Sequence, residues 1–263
     1  MSHDYDNRAA VPDWEEHFGR WRDAGASVRA DAAAVLDVPY GRHPRCRFDL
    51  FPAERRRGPV MVFVHGGYWQ WNAKEEFAFL APVWREAGID VVLLGYPLVP
   101  DVRLARIPGE VRLGLARVAE LCRDRFAGRW RLVVAGWSAG AHLALSAADA
   151  ACVDRVVCLS GIYDLVPLVP TPLNDALGLD AGEALRLSPI GRRTAPEVPC
   201  LIGVGADERP ALRGQAAAVA ARFAELGRPP VFREWTGLNH YSVLDAFANV
   251  ESETFRDVLR YIG

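Results

Sequence analysis

A chain of 263 residues, 51% of them apolar, carries enough hydrophobic surface for a large buried core, and its formal net charge of −2 gives no electrostatic reason to expect nucleic acid. No stretch approaches the roughly eighteen consecutive apolar residues of a membrane span. Five cysteines without metal-ligand spacing read as buried thiols, and the acidic start Met1 to Asp6 lacks the basic and apolar regions of a secretory signal, so a cytoplasmic location is expected.

In chain order, Trp14, Phe18 and Trp21 form a helix-spaced apolar stripe behind the start signals Pro12 and Asp13, which predicts a helix over 12–26. Segments 34–38 and 45–51 read as an opening strand pair joined by the turn Gly41-Arg42-His43-Pro44. A buried strand over 60–64 runs into His65-Gly66-Gly67-Tyr68-Trp69. A helix is expected over 74–87, a doubly buried strand over 91–94 and a helix over 109–126. The apolar run 132–135 is followed by a small-residue helix over 138–148, then by a strand over 156–160.

Segment 163–199 breaks this rhythm with several prolines and one short helical piece, 181–187, and reads as a cap region. A strand over 200–205, a helix over 211–226, a strand over 231–235 and helical segments over 241–261 complete the chain. The alanine run in the first of these helices suits close packing on a sheet. Strands alternating with helices predict an α/β class with a mostly parallel central sheet of about eight strands and right-handed crossovers. One domain over 1–263 is expected, with an N-terminal helical segment 1–30 and the cap 163–199 within it.

Three features carry chemistry. Gly136-Trp137-Ser138-Ala139-Gly140 sits between a strand and a helix, the context of a nucleophile elbow, in which a strained turn lifts the serine oxygen above the sheet. His65-Gly66-Gly67 ends a strand where such folds build an oxyanion hole. The backbone donors assigned to it are Gly67, Tyr68 and Ala139, each worth roughly 10²–10³ in rate. His240, after the last strand, completes the order serine, acid, histidine of the α/β-hydrolase fold. It would take the proton from Ser138 and return it to the leaving group.

The acid is less determined. Asp207 and Glu208 both follow the strand over 200–205, and adjacent residues leaving a strand point opposite ways, so one of them faces the histidine. Glu208 ranks slightly ahead. Asp164 is a third candidate, better read as a turn or helix-cap aspartate. Tyr68, Trp69 and Trp71 offer an aromatic wall for a planar substrate, although at least one of these rings is expected to pack into the N-terminal helix instead. His65, Gly66, Trp69, Trp71 and Trp137 are the expected substrate-binding positions.

With these pieces together, the chain resembles the kynurenine formamidase (arylformamidase) branch of the α/β-hydrolases. The matching residues are His65-Gly66-Gly67-Tyr68-Trp69-Gln70, the Ser138-Ala139-Gly140 elbow, Glu208 with Gln215, Asn239-His240, and Tyr5 with Asn7-Arg8. The resemblance implies hydrolysis of N-formyl-L-kynurenine to L-kynurenine and formate in tryptophan breakdown. It also implies a triad of Ser138, His240 and Glu208 and no metal or other cofactor. Trp137 stands where many relatives have histidine, and Gly214-Gln215 where an Arg-Gln pair is usual. Two other readings remain: a carboxylesterase acting on short-chain esters with the same triad, and a non-catalytic binding protein of this fold. The expected partner is a small aromatic molecule rather than nucleic acid or membrane, with a homodimer left open.

Overall fold

The strands with continuous apolar runs are the ones covered on both faces. The computed structural model describes residues 2–126 and 130–263; Met1, with which the expected N-terminal segment opens, lies outside them. The chain begins with a 3-10 turn, Ser2–Tyr5, and the helices α1 (Asn7–Ala10) and α2 (Trp14–Arg29). Strands β1 (Val35–Pro39), β2 (Arg47–Phe51) and β3 (Pro59–Val64) follow. The segment expected as one helix over 74–87 is divided into a 3-10 helix, Lys74–Leu80, and α3 (Ala81–Glu86), with Pro82 at the second helical position where a missing N–H costs nothing.

Then come β4 (Asp90–Leu94), α4 (Ile107–Arg125), β5 (Arg131–Trp137), α5 (Ala139–Ser146) and β6 (Arg155–Leu159). Between β6 and the next strand lie α6 (Asn174–Leu177) and α7 (Ala181–Leu187), flanked by short 3-10 turns. The chain closes with β7 (Cys200–Gly205), α8 (Pro210–Glu225), β8 (Val231–Trp235), α9 (Ser242–Phe247) and α10 (Glu253–Ile262). The helical stretch read over 241–261 is thus two helices, and the second starts where the Ser252 side chain accepts from the Phe255 N–H.

The eight strands form one sheet in the order β1-β2-β4-β3-β5-β6-β7-β8. β1 and β2 are antiparallel to their neighbours, and every pair from β4 through β8 is parallel. Side chains alternate between two cores because the strand period is two. Val60, Val62 and Val64 of β3 face one core with Leu132 and Val134 of β5. Met61 and Phe63 face the other, with Val133, Ala135 and Trp137. The first core takes α4, α5 and α8; the second takes α2, α3, α9 and α10. In α8 the alanine run does less than expected: Ala216 is buried, whereas Ala217 and Ala218 face solvent, because a helix presents only about one side to a sheet.

This order places the site. From β3 the chain steps to β4 on one side, then crosses back to β5 on the other. The connections therefore diverge between the carboxyl ends of β3 and β5. At such a switch point a parallel sheet opens a crevice, and ligands bind there.

Candidate active site

A cavity of about 450 Å³ lies at this switch point. Gly67 and Tyr68 from the turn after β3 line it, as do Trp137 and Ser138 from the end of β5, and His240 with Tyr241 from the loop after β8. Tyr5 to Arg8 and Phe18 contribute from the N-terminal segment, and Thr171 to Leu173 from the connection between β6 and β7. Gly67, Ser138 and His240, far apart in the chain, therefore share one cavity.

Ser138 occupies φ 56°, ψ −120°, a conformation that costs a non-glycine residue on the order of 1–3 kcal/mol. Its surroundings impose that geometry. A Cβ on Gly140 would stand 1.9 Å from the Val64 carbonyl oxygen, and one on Gly136 would stand 2.2 Å from the Gly140 carbonyl oxygen. The helix α5 therefore approaches β3 and β5 as closely as bare backbone allows, and the turn between has no room to relax. Ser138 donates its N–H to the Leu159 carbonyl at 2.9 Å, continuing the ladder to β6, while its own carbonyl starts α5.

His240 Nδ1 lies 2.8 Å from Glu208 Oε2. The other carboxylate oxygen, Oε1, accepts from the Gly205 N–H at 2.8 Å and from the Ser160 hydroxyl. Glu208 is thus held at both oxygens, and a carboxylate so placed selects the imidazole tautomer with hydrogen on Nδ1. That leaves Nε2 as a base. The Trp137 indole N–H donates to the His240 carbonyl at 2.9 Å, and the two rings pack at 4.9 Å. Ser138 and His240 line the same cavity without a direct hydrogen bond between them.

Asp207 does not face the histidine; its N–H donates to the Leu238 carbonyl at 3.0 Å. Asp164 is a turn residue whose Oδ1 accepts from the Val166 N–H.

The turn after β3 runs through three successive positive φ values, 115° at Gly67, 48° at Tyr68 and 60° at Trp69. The Gly67 carbonyl accepts from both Gln70 and Trp71 N–H groups at 2.9 Å. Among the described residues, no backbone carbonyl takes the N–H of Gly67, Tyr68 or Ala139. Three unspent donors at the end of β3 and the start of α5 suit an oxyanion.

Several expected substrate-binding positions are elsewhere. His65 is buried, stacked between Phe77 and Tyr96, with Nδ1 against the Gly66 carbonyl; burial pulls it down to about 3. Gly66 is packed under Trp137 and does not line the cavity. Trp69 is fully buried and donates its indole N–H to His142 Nδ1 at 3.2 Å. Of the expected aromatic wall, Tyr68 and Trp71 line the cavity, joined there by Trp137, whereas Trp69 lies in the core. Trp69 is not the ring that meets the N-terminal segment. Trp71 instead meets Arg8.

Sequence reading passed over two residues here. Ser160, at φ 53° beyond β6, anchors Glu208. His142, four residues after Ser138 on α5, accepts from Trp69 and lies 2.9 Å from the Leu187 carbonyl, so it ties α5, the turn after β3 and α7 together. A buried histidine one helical turn from an elbow serine was the available signal for the second. Nothing local marked the first.

Residues 61–186 match the family described as alpha/beta hydrolase fold. A solved structure from Silicibacter sp., a candidate thioesterase, superposes with a TM-score of 0.87 at 28% identity, covering 99% of this chain and 98% of that one. This chain has the α/β-hydrolase fold. The hydrolase is 25% identical to a kynurenine formamidase of Danio rerio over 94% of its own length and 88% of the relative's. It is 34% identical to the esterase LipQ of Mycobacterium tuberculosis over 46% of its length and 30% of that protein's. Among the described residues of the hydrolase, no helix is long and apolar enough to cross a membrane.

Proposed function

We propose that this hydrolase cleaves a small acyl group from an aryl amide, with N-formyl-L-kynurenine as substrate and L-kynurenine and formate as products. Ser138 Oγ attacks the formyl carbon as His240 Nε2 takes its proton, and Glu208 stabilises the imidazolium that forms. The N–H groups of Gly67, Tyr68 and Ala139 receive the oxyanion. Collapse expels the aryl amine with the proton from His240. Water then attacks the formyl-serine ester by the same base, releasing formate and restoring Ser138.

The observation that carries this reading is that His240, paired with Glu208, shares an aromatic-lined cavity with the elbow serine. The relatedness to a kynurenine formamidase across nearly the whole chain supports the choice of acyl group. A cavity of about 450 Å³ suits one molecule with a single aromatic ring. An aniline leaves more readily than an alkyl amine, so protonation by one imidazole suffices. We place the reaction in tryptophan breakdown and in a reducing, cytoplasmic setting; all five cysteines are free, and none is exposed.

The similarity to LipQ favours a second reading, a carboxylesterase using the same groups. Comparing kcat/KM on N-formylkynurenine with that on short p-nitrophenyl esters separates the two, with Ser138→Ala as the blank. The formamidase reading expects the formamide to be preferred, and Ser138→Ala to lose about 10⁴–10⁶ in kcat on either substrate. An ester preference of several orders of magnitude selects the second reading. Undiminished activity in Ser138→Ala removes both.

A further inference from the structure

The N-terminal segment is pinned against the oxyanion turn. Tyr68 Oη donates to the Tyr5 carbonyl, and Asn7 Nδ2 donates to Tyr68 Oη at 3.4 Å. From α8, Gln215 Nε2 donates to Tyr5 Oη at 2.8 Å and Arg209 Nε to the Asp6 carbonyl at 2.8 Å. Asp6 caps α1 by accepting from the Ala9 N–H at 3.0 Å. These bonds fix where α1 presents its next side chain, Arg8.

The Arg8 guanidinium carbon lies 4.4 Å from the centroid of the Trp14 ring and 4.8 Å from that of Trp71. Contact with indole faces uses the flat side of a guanidinium and leaves its N–H edge for other partners, the Tyr241 hydroxyl among them. The next arginines along the chain are paired: Arg20 with Asp245, Arg22 with Glu76 and Arg29 with Asp49. Arg8 pairs with no carboxylate among the described residues, and it lines the cavity that holds Ser138.

We propose that Arg8, held against Trp14 and Trp71, is the residue by which this cavity selects substrates bearing a carboxylate. A guanidinium edge matches a carboxylate in shape and in donor spacing. Asp6 is the other side chain of fixed charge in the lining, so the two together are neutral. A carboxylate beside an ammonium group fits that balance, and a lone carboxylate leaves one net negative charge. A phosphate dianion would meet one cation and one anion. Since a formyl group has no substituent, the carboxylate belongs to the aryl-amine half of the substrate. That placement rests on the formamidase reading, whereas the anion selection does not.

Two substrate pairs test the proposal. The first is N-formylkynurenine and its carboxamide, followed by release of the aryl amine. The second is 3-(2-acetoxyphenyl)propanoate and its carboxamide, followed by release of the phenol. Within a pair the scissile bond is the same, so a general loss of activity cancels from the ratio of kcat/KM. The native enzyme is expected to favour the carboxylate about ten- to thirty-fold, chiefly through KM, with the preference shrinking as salt is added. Arg8→Gln should bring the ratio close to one, and Arg8→Lys should keep part of it. A native ratio near one, or a ratio unchanged in Arg8→Gln, overturns the proposal. If only the ester pair is turned over, the formamidase reading falls, and Arg8 is still judged on the ester ratio.

Discussion

Asp207 and Glu208 are neighbours in the chain, yet one carboxylate meets His240 and the other does not. Asp207 is exposed, with its N–H bonded to the Leu238 carbonyl, whereas the buried Glu208 reaches His240. Both oxygens of Glu208 are occupied by Gly205, Ser160 and His240, so any shift would break bonds it cannot replace. Glu208→Ala should cost around 10⁴ in kcat, whereas Asp207→Ala should stay within several-fold of the native enzyme. Steady-state kinetics on one ester, with circular dichroism as the fold control, reads both. Equal losses would remove the distinction drawn here. His65 shows the opposite lesson. It opens the His-Gly-Gly turn after β3, but its ring fills the space between Phe77 and Tyr96. Spacing indicated a functional neighbourhood and could not indicate which side of the strand end each ring would take.

Among the elements, the elbow tolerates the least change. Gly140→Ala would drive a methyl into the Val64 carbonyl, a backbone atom that cannot swing away, so a loss above about 4 kcal/mol is expected in urea unfolding. Gly214 in α8 supplies the control, because a Cβ there would meet nothing within 4 Å. Gly214→Ala should stabilise by roughly 0.5–1 kcal/mol through helix propensity. Comparable midpoints for the two variants would show that close packing does not hold the elbow. Elements with a strong periodic pattern were legible: α2, α4, α7 and α8 lie within a few residues of their predicted ranges. The divided segment over 74–87 was less so. Lys74 is buried there because its ammonium group meets Asp37 and Asp49 at 2.8 Å and Glu75 at 2.6 Å. Two of those partners come from distant β1 and β2, which local pattern cannot reveal.

For the molecule as a whole, the fully buried His65 and His142 make stability depend on pH. Burial holds His65 at about 3 and His142 at about 4, both below the ordinary 6.5. Below pH 6.5 the unfolded chain takes up protons that the folded protein refuses. The stabilisation from the neutral rings is thus complete above 6.5 and is lost as pH falls towards those lower values. The slope is on the order of 1 kcal/mol per pH unit for each histidine. Urea midpoints should drop between pH 6.5 and 5, above the range where the lowered carboxylates of Asp31 and Asp37 contribute. A His142→Gln variant should show a shallower slope, whatever its absolute stability. A flat native profile over that interval would contradict the burial of these rings.

From its order of residues alone, this chain determined the alternation of strands and helices, the strained serine turn, the glycine turn after β3 and the late histidine, because each is written in neighbouring residues with a fixed period or bond geometry. The tertiary structure decided which carboxylate serves His240, which aromatic rings face the cavity, and that Tyr5 to Arg8 form one of its walls. Those outcomes depend on which side of a sheet or loop each side chain takes once distant segments meet, and that is set by packing between elements rather than within them.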